Sequence, residues 1–550
     1  MSRALLLFFL FFVTGITHNS VNAQTPAWPE WVFHHWVWED ESTQQSALDL
    51  INSYKAHNIP VGAIIIDSPW ETGYNTFEWD TALYPNAQAM IDSFHAMDVR
   101  VVVWATTAIN TDVPALWNYG DSMGYFMKAN AGSGSAVINW WKGDGSMIDF
   151  FNPAAVTWWK SLMDHTLDLG IDGWKCDGTD YSVLLGNALY SPGTGGNVTR
   201  LQYSHAYYRL FHDYTRQRLG NDRVNMSRPV DNYGYTFITD PNLVTFTPRD
   251  IGFACWVGDQ DATFDGLKAA LNNMYQSDVN NYLVFGSDIG GYRDESGIPN
   301  GRTKEVFLRW AQLGAFSPLM ENGGGGEHRP WLWDAQTDNI YNKFVRLHHA
   351  MIPYLMQQSD SLFTATQSLM QFSNSSDYRF MLGSDVFVAP VLSSSNTINV
   401  SSFPGSGTSW VYLFDNTKVY QSGGSASLNI PLGEYPVFIK STSPLLATLD
   451  SVISSVTGLE TINPQENTVV LYPNPATSEV IVSGIEFKAG EEYEFRLFDV
   501  LGRNLLNTPI SNGNENISIE GFENGVYYYS IETTNLSTQK KLSGKVVIQK

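Results

Sequence analysis

Short apolar runs alternate with longer segments in which apolar residues recur every three or four positions, from residue 31 to about residue 354. The short runs are typical of buried strands and the longer segments of helices that pack on them. Strands are predicted at 31–38, 62–66, 100–105, 173–176, 224–227, 252–256, 282–286 and near 315–320. Helices are expected between them, for example over 153–169 and 263–276. Eight strand–helix units in about 330 residues predict an α/β fold, the (β/α)8 or TIM barrel, over residues 24–360.

The pattern changes after the predicted barrel. Strand-like runs at 385–392, 410–414 and 435–439 alternate with turns rich in Ser and Gly, which predicts a small antiparallel β-domain over 361–445. A polar stretch over 446–468 is typical of a linker. A last β-rich module, expected to be a β-sandwich, follows over 469–550.

The first 23 residues have the pattern of a secretory signal peptide. Arg3 precedes an apolar run over 4–13, and Val21-Asn22-Ala23 supplies a small-x-small exit. The alternative is a membrane anchor, but a bilayer requires about 20 consecutive apolar residues, twice the length of this run. The sequence therefore predicts export without membrane insertion.

Charge and composition exclude several classes of protein. The chain has 32 Lys and Arg against 55 Asp and Glu, a net charge of −23, which argues against nucleic acid and anionic membrane surfaces as partners. A 43% share of hydrophobic residues argues against a disordered chain. Two cysteines cannot build a disulfide scaffold or a four-cysteine metal site. No metal-ligand spacing or phosphate-binding loop is present in the sequence, so no cofactor and no metal are expected.

Two aspartates at predicted strand ends suggest the chemistry. Cleaving a glycosidic bond requires one carboxyl that attacks or stabilises the sugar and another that protonates the leaving oxygen, and Asp177 and Asp259 stand in suitable settings. Lys175 lies two residues before Asp177, so both side chains point the same way from one strand and the cation favours an ionised carboxylate. The apolar neighbours Trp256 and Val257 favour the protonated form that a general acid needs. The alternative is that each aspartate only caps a following helix.

Read in order, the barrel residues resemble glycoside hydrolase family 31, the family of retaining α-glucosidases and α-xylosidases. The resemblance covers residues 30–442. Its segments are Asp67 with Trp70 and Phe77-Glu-Trp-Asp80, Asp149-Phe-Phe-Asn-Pro153, Lys175-Cys-Asp177, Met226-Ser-Arg-Pro229, Trp256-Val-Gly-Asp259, Gly286-Ser-Asp-Ile-Gly-Gly-Tyr292, Arg309-Trp-Ala-Gln-Leu-Gly-Ala-Phe316 and Leu382-Gly-Ser-Asp-Val-Phe-Val-Ala-Pro-Val391.

The resemblance implies a role for each matched residue. Asp177 would be the nucleophile and Asp259 the acid/base of a secreted α-glycosidase that acts on an oligo- or polysaccharide. The sugar would be held by Asp67, Trp70, Trp174, Lys175, Arg228, Trp256 and Asp288. An α-glucoside, an α-xyloside and an α-galactoside all remain open as substrates, and α-glucan lyase action is a sister possibility.

The sequence departs from the family in three places. The nucleophile strand continues as Gly178-Thr-Asp180 instead of reaching a glutamate, and the family's β-sandwich before the barrel is missing. The family's R-x-H after strand eight becomes Met320-Glu-Asn322, followed by four glycines at 323–326. His328 and Arg329 then either supply the missing sugar contacts or are structural. These departures also leave open a carbohydrate-binding protein without activity.

The C-terminal module resembles the sorting domain of the type IX secretion system. The matching segments are Tyr472-Pro-Asn-Pro475, Phe498-Asp-Val-Leu-Gly-Arg503, Asn524-Gly-Val-Tyr-Tyr-Tyr529 and Lys545-Val-Val-Ile-Gln-Lys550. The resemblance implies that the type IX machinery is a partner and that the protein is secreted or placed on the cell surface. A carbohydrate-binding β-sandwich is the alternative.

Overall fold

The computed structural model describes residues 28–178, 189–231, 245–294, 302–457, 470–472, 476–483, 493–499, 503–510, 515–533 and 541–550. The chain forms two compact units that divide near residue 456. The predicted signal peptide, residues 1–23, lies outside the described residues. Within the described residues, no helix is both long and apolar enough to cross a bilayer.

Eight parallel strands form the barrel of the first unit. They are β1 (His35–Glu39), β2 (Ala63–Ile66), β3 (Arg100–Ala105), β4 (Gly173–Cys176), β5 (Met226–Ser227), β6 (Ala254–Trp256), β7 (Phe285–Gly286) and β8 (Met320–Asn322). Each strand pairs with its neighbours in chain order, and β1 pairs with β8. A single bridge between Asp288 and Glu321 links the β7 and β8 sides, so the circle is closed. The predicted barrel is confirmed.

Helices cover the outside of the barrel, except that the helix Pro114–Met123 contacts the inserted strand Ala108–Asn110. They are α1 (Gln44–Ala56), α2 (Ala87–Ala96), α3 (Pro114–Met123), α4 (Pro153–Leu167), α5 (Arg200–Leu219), α6 (Phe264–Val279), α7 (Lys304–Ala315) and α8 (Ala335–Thr364). Most of them begin at a polar residue whose side chain accepts a hydrogen bond from a free backbone N–H of the first turn, which stabilises that end. These capping residues are Thr43, Asn86, Asn152, Thr199, Thr263, Thr303 and Asp334.

Two barrel strands are displaced from their predicted positions. The first was expected to begin at residue 31, but Glu30–Phe33 forms a 3-10 turn and the strand starts at His35. The eighth was expected near 315–320, whereas α7 occupies Lys304–Ala315 and the strand is Met320–Asn322. Ten consecutive residues of α7 are buried, so its composition resembles that of a buried strand.

Short strands inserted between barrel elements line the rim. Ala108–Asn110, Ile138–Trp140 and Gly143–Met147 form a three-stranded antiparallel sheet after β3. The turn between the last two strands consists of Trp141 and Lys142. Leu189–Ser191 pairs with Gly196–Val198 before α5.

The antiparallel β-domain predicted after the barrel is present. The strands of its six-stranded sheet lie in the order Met370–Phe372, Phe380–Leu382, Val386–Val388, Val437–Lys440, Ser409–Tyr412 and Asp415–Gln421. In a separate two-stranded sheet, Thr397–Val400 pairs with Ala426–Asn429. The buried Arg309 of α7 donates to the backbone oxygens of Ile430 at 2.9 Å and Glu434 at 2.8 Å. These bonds join the β-domain to the barrel.

A helix, α9 (Leu445–Thr457), occupies the first part of the predicted linker at 446–468. Leu445 and Leu449 are buried, and Val452 and Ile453 pack partly against the same core. The first part of the predicted linker is therefore helical and packs on the core of the first unit, and residues 458–468 lie outside the described residues.

The second unit has a hydrophobic core of its own. One antiparallel sheet contains Val470–Tyr472, Glu479–Ser483 and Glu515–Ser518. The other contains Asn504–Ile510, Tyr493–Phe498, Gly525–Thr533 and Lys541–Ile548. Val480, Phe495 and Val546 are completely buried between them. Two antiparallel sheets around one core agree with the predicted β-sandwich.

Candidate active site

The carboxyl ends of the barrel strands surround an open cavity of about 360 Å³, called here the Asp177 cavity. Parallel strands of a barrel end at one rim, so residues distant in the sequence meet there. The cavity is lined by Asp40, Glu41, Asp67, Ser68, Trp104, Trp141, Lys142, Lys175, Asp177, Arg228, Trp256, Asp259 and Tyr292. Six of the predicted site residues are therefore brought together: Asp67, Lys175, Asp177, Arg228, Trp256 and Asp259.

Asp177 follows β4 and is held as an ionised carboxylate. Its Oδ1 accepts hydrogen bonds from Arg228 Nη2 at 2.8 Å and Nε at 3.0 Å and from the Gly178 backbone N–H at 2.7 Å. Its Oδ2 accepts a hydrogen bond from Trp104 Nε1 at 3.2 Å. Burial alone would raise the pKa of Asp177, but the charges of Arg228 and Lys175 and these hydrogen bonds lower it below the usual aspartate value.

Arg228, which follows β5, contacts both candidate catalytic carboxyls. Its Nη2 lies 2.8 Å from Asp177 Oδ1 and 3.3 Å from Asp259 Oδ1. Its Nη1 donates to Asp231, and the guanidinium lies 4.5 Å from the centre of the Trp256 ring. Arg228 is buried, whereas 35% of the Asp259 side chain is exposed to solvent. The site thus has one tightly held carboxylate and a second, more exposed carboxyl beside the same guanidinium.

Lys175 of β4 points into the barrel, as the alternation of side chains predicts. Its Nζ donates to Asp67 Oδ2 at 2.7 Å and lies 3.6 Å from the centre of the Trp38 ring. Burial alone would lower the pKa of Lys175, but nearby carboxyl groups raise it above the usual lysine value. These groups belong to Asp67, Asp288 and Glu321. Lys175 is therefore held as a cation in the wall of the Asp177 cavity.

Asp288 lies behind the cavity wall, which corrects the expectation that it holds the sugar. Its side chain is buried near that of Glu321, and neither oxygen of its carboxyl has a hydrogen-bond partner among the described residues. Burial and the charge of Glu321 raise the pKa of Asp288 well above the usual value, and burial also raises the pKa of Glu321. Burial of two carboxyls close together disfavours the state in which both are charged. Asp288 therefore affects the site electrostatically, through its charge interactions with Glu321 and Lys175.

Trp70 and Trp174 are completely buried, and neither lines the Asp177 cavity. Trp174 precedes Lys175 in β4 and therefore points to the outside of the barrel, where its Nε1 donates to Thr215 of α5 at 3.0 Å. Trp70 donates to the backbone oxygen of Trp104 at 2.8 Å. Both residues belong to the core, so their expected sugar contacts are corrected.

His328 and Arg329 line a neighbouring cavity of about 440 Å³, called here the Arg329 cavity. The imidazole of His328 is buried and contacts Asn322 Oδ1 at 3.2 Å, and burial lowers the pKa of His328 well below the usual histidine value. Arg329 donates to Glu327 through Nε at 2.8 Å and Nη2 at 2.7 Å. Neither residue lines the Asp177 cavity, so neither replaces the Arg-x-His contacts there.

Sequence reasoning did not identify several residues of the Asp177 cavity. Asp40 and Glu41 directly follow β1, and this acidic pair at a predicted strand end was a signal that could have revealed them. Trp141 and Lys142 lie at the tip of the inserted hairpin, which the strand pattern did not predict. Tyr292 donates to Asp40 at 3.3 Å.

Removal of the buried cation should destabilise the barrel. We expect Lys175→Gln to lower the free energy of unfolding by about 3–5 kcal/mol, because it leaves buried carboxylates without their partner. The loss should be larger at pH 8 than at pH 5, because the raised pKa values of Asp288 and Glu321 make these two carboxyls easier to protonate at the lower pH. Denaturant unfolding at both pH values measures it. Lys268→Gln, which removes an exposed lysine beside Asp265, is the control and should change the free energy by less than about 1 kcal/mol. An equally small loss for Lys175→Gln would contradict the prediction.

Three known domain families together match most of the chain. Residues 25–358 match the glycosyl hydrolases family 31 TIM-barrel domain, and residues 356–443 match the glycosyl hydrolase family 31 C-terminal domain. Residues 470–545 match the secretion system C-terminal sorting domain.

Individual relatives agree with this assignment. The chain is 24% identical over 417 residues to an α-xylosidase of Emericella nidulans, covering 72% of this chain and 50% of the relative. It is 23% identical over 451 residues to alpha-glucosidase 2 of Bacillus thermoamyloliquefaciens, covering 78% and 54%. The chain thus spans about half the length of these relatives. The solved structure of an α-xylosidase from a soil metagenome, complexed with xylose, aligns with a TM-score of 0.66 at 19% identity over 77% of this chain and 65% of that one. The barrel match over residues 25–358 covers more than half of this chain, so the chain belongs to glycoside hydrolase family 31.

Proposed function

We propose that the protein is a retaining α-glycosidase that hydrolyses terminal α-linked sugars by double displacement. In the first step Asp177 attacks the anomeric carbon, and the bond from that carbon to the leaving oxygen breaks. Asp259 gives its proton to the leaving oxygen. In the second step Asp259 takes a proton from water, which attacks the anomeric carbon and releases Asp177 as a carboxylate. The sugar leaves with its original configuration.

The observation that carries this proposal is the shared contact of both carboxyls with Arg228. Because one guanidinium nitrogen lies within 3.3 Å of each Oδ1, the two oxygens are at most about 6 Å apart. Retaining glycosidases place their carboxyls about 5–5.5 Å apart, while inverting enzymes need about 6.5–9.5 Å to admit a water. The short separation favours retention.

The electrostatics of the two carboxyls also support the assigned roles. A nucleophile has to be ionised, and the cations around Asp177 stabilise its carboxylate. An acid/base has to exchange protons with water and with the leaving group, and Asp259 is the more exposed of the pair. The Lys175–Asp67 ion pair supplies fixed polar groups for the sugar hydroxyls.

The proposed substrate is an α-glucoside, an α-xyloside or an α-galactoside at the end of an oligo- or polysaccharide. The names of the relatives, an α-xylosidase and an α-glucosidase, support the first two. The match of residues 470–545 to a sorting domain supports action outside the cell or at its surface, with the type IX machinery as the export partner.

A panel of 4-nitrophenyl α-glucoside, α-xyloside and α-galactoside tests the proposal. We expect release of 4-nitrophenol from at least one of them, and proton NMR of the early products should show the α-anomer. A β-anomer as first product would contradict the retaining mechanism, and an unsaturated product would indicate a lyase. Binding of the sugars without any turnover would indicate a carbohydrate-binding protein instead.

A further inference from the structure

The Arg329 cavity adjoins the Asp177 cavity along one edge. Asp40 and Glu41, the two residues after β1, line both cavities. The other residues of the Arg329 cavity come mainly from the end of β1, from α1 and from the loop after β8: Trp38, Glu39, Ser46, Leu50, Tyr54 and residues 324–329. Its volume of about 440 Å³ lies within the range of about 300–1,000 Å³ that is typical of ligand sites.

The position of the shared edge identifies which part of a substrate would reach the Arg329 cavity. Asp259, which protonates the leaving oxygen in the proposed mechanism, follows β6. In an eight-stranded barrel β6 lies opposite β2, whose end carries Asp67, and β1 is the next strand along. The edge formed by Asp40 and Glu41 therefore lies across the barrel from the acid. A chain that passes over this edge continues from the sugar at Asp177 away from the leaving group.

The polar groups of the Arg329 cavity are suited to neutral hydroxyl groups. The guanidinium of Arg329 is clamped by Glu327 and lies 3.7 Å from Glu39 Oε1. A guanidinium and carboxylates held in this way donate and accept charge-assisted hydrogen bonds. Because Glu39, Asp40, Glu41 and Glu327 face a single arginine, the cavity disfavours an anionic sugar such as a uronic acid.

The glycine-rich wall of this cavity is built in advance rather than free to fold. The guanidinium of Arg302 is buried and donates to the backbone oxygens of Gly325 at 3.0 Å and Glu327 at 3.0 Å. Gly326 has a φ of +78°, and a Cβ there would lie 2.7 Å from Asp294. A wall fixed before binding loses little conformational entropy when a ligand enters.

We propose that the Arg329 cavity binds a second sugar, a neutral hexopyranose linked to the sugar that contacts Asp177. This inference rests on the proposed function and extends it. The terminal unit that the enzyme releases most readily would then be a disaccharide, and substrates with a single sugar before the cleaved bond would be hydrolysed more slowly.

The test compares 4-nitrophenyl glycosides that carry one sugar or two. The sugar is the one that the panel selects, and the second unit is attached through an α-1,4 bond or, where that sugar has a C6 hydroxyl, through an α-1,6 bond. We expect kcat/KM to be at least tenfold higher for one of the disaccharide glycosides, with the intact disaccharide found by mass spectrometry. Arg329→Ala should reduce this ratio to less than threefold. Arg209→Ala, which removes an equally exposed arginine paired with Asp250, should preserve the ratio.

Two results would overturn the proposal: equal kcat/KM values for one and two sugars in the wild type, or a disaccharide preference that survives Arg329→Ala. Calorimetry with the free mono- and disaccharides gives an answer that needs no turnover, and the disaccharide should bind at least tenfold more tightly to the wild type but not to Arg329→Ala. Equal affinities in the wild type would also overturn it. Failure to hydrolyse any aryl glycoside, with this binding difference intact, contradicts the proposed function alone.

Discussion

Asp177→Ala is expected to lower kcat by at least about 10⁴-fold on every substrate that the wild type hydrolyses, because removal of a covalent nucleophile eliminates the intermediate itself. Binding of the sugar product should persist, since Arg228, Lys175 and Asp67 remain in place. Single-turnover and steady-state assays with the best 4-nitrophenyl glycoside measure the effect.

Azide provides a positive test of the same role. A small anion can enter the space left by the carboxylate of Asp177 and attack the anomeric carbon from the same side. Asp177→Ala with azide and an activated α-glycoside should therefore give a β-glycosyl azide, which NMR identifies. Asp261→Ala, which removes an exposed aspartate two residues after Asp259, is the control and should keep near-normal activity. Normal turnover by Asp177→Ala would refute the assignment of the nucleophile.

Asp259→Ala should have an effect that depends on the leaving group. For a natural disaccharide, whose leaving alcohol needs a proton, we expect kcat/KM to fall by about 10²–10⁴-fold. For 2,4-dinitrophenyl glycosides, whose phenolate leaves without help, formation of the intermediate should slow by less than about tenfold.

A plot of the logarithm of kcat/KM against leaving-group pKa displays this difference. The slope should be shallow for the wild type and steep for Asp259→Ala. Equal losses for good and poor leaving groups would assign Asp259 a structural role. Asp231→Asn is a poor control here because Asp231 also contacts Arg228, so Asp261→Ala again serves as the matched variant.

The sequence was sufficient to predict the barrel and to predict that several strand-end residues meet in one cavity, and the reason is physical. Asp67, Asp177, Arg228 and Asp259 follow buried strands, and the carboxyl ends of parallel strands meet at one rim wherever the strands lie in the sequence. The alternation of side chains along β4 also placed Lys175 in the interior correctly. These relations depend only on strand geometry.

The residues that were misplaced or missed are those whose contacts depend on side-chain direction or on loop geometry. Trp174 is adjacent to Lys175, and the same alternation that brings Lys175 inward turns Trp174 outward. Trp141 reaches the cavity on an inserted hairpin whose pairing is local. His328 and Arg329 follow a glycine run, and the direction of such a loop depends on long-range contacts such as those of Arg302. A single sequence gives no access to those contacts.

The bridge between Asp288 and Glu321 joins the ends of the barrel sheet, and burial raises the pKa of both side chains. In a carboxyl pair whose pKa values are raised in the folded protein, stability is greatest while the proton is bound and decreases as the pH rises through those values. The stability of the bridge that closes the barrel is therefore linked to the pH of the surroundings. In an alkaline medium two like charges would face each other at the seam, so this part of the barrel should be less stable there than in an acidic medium.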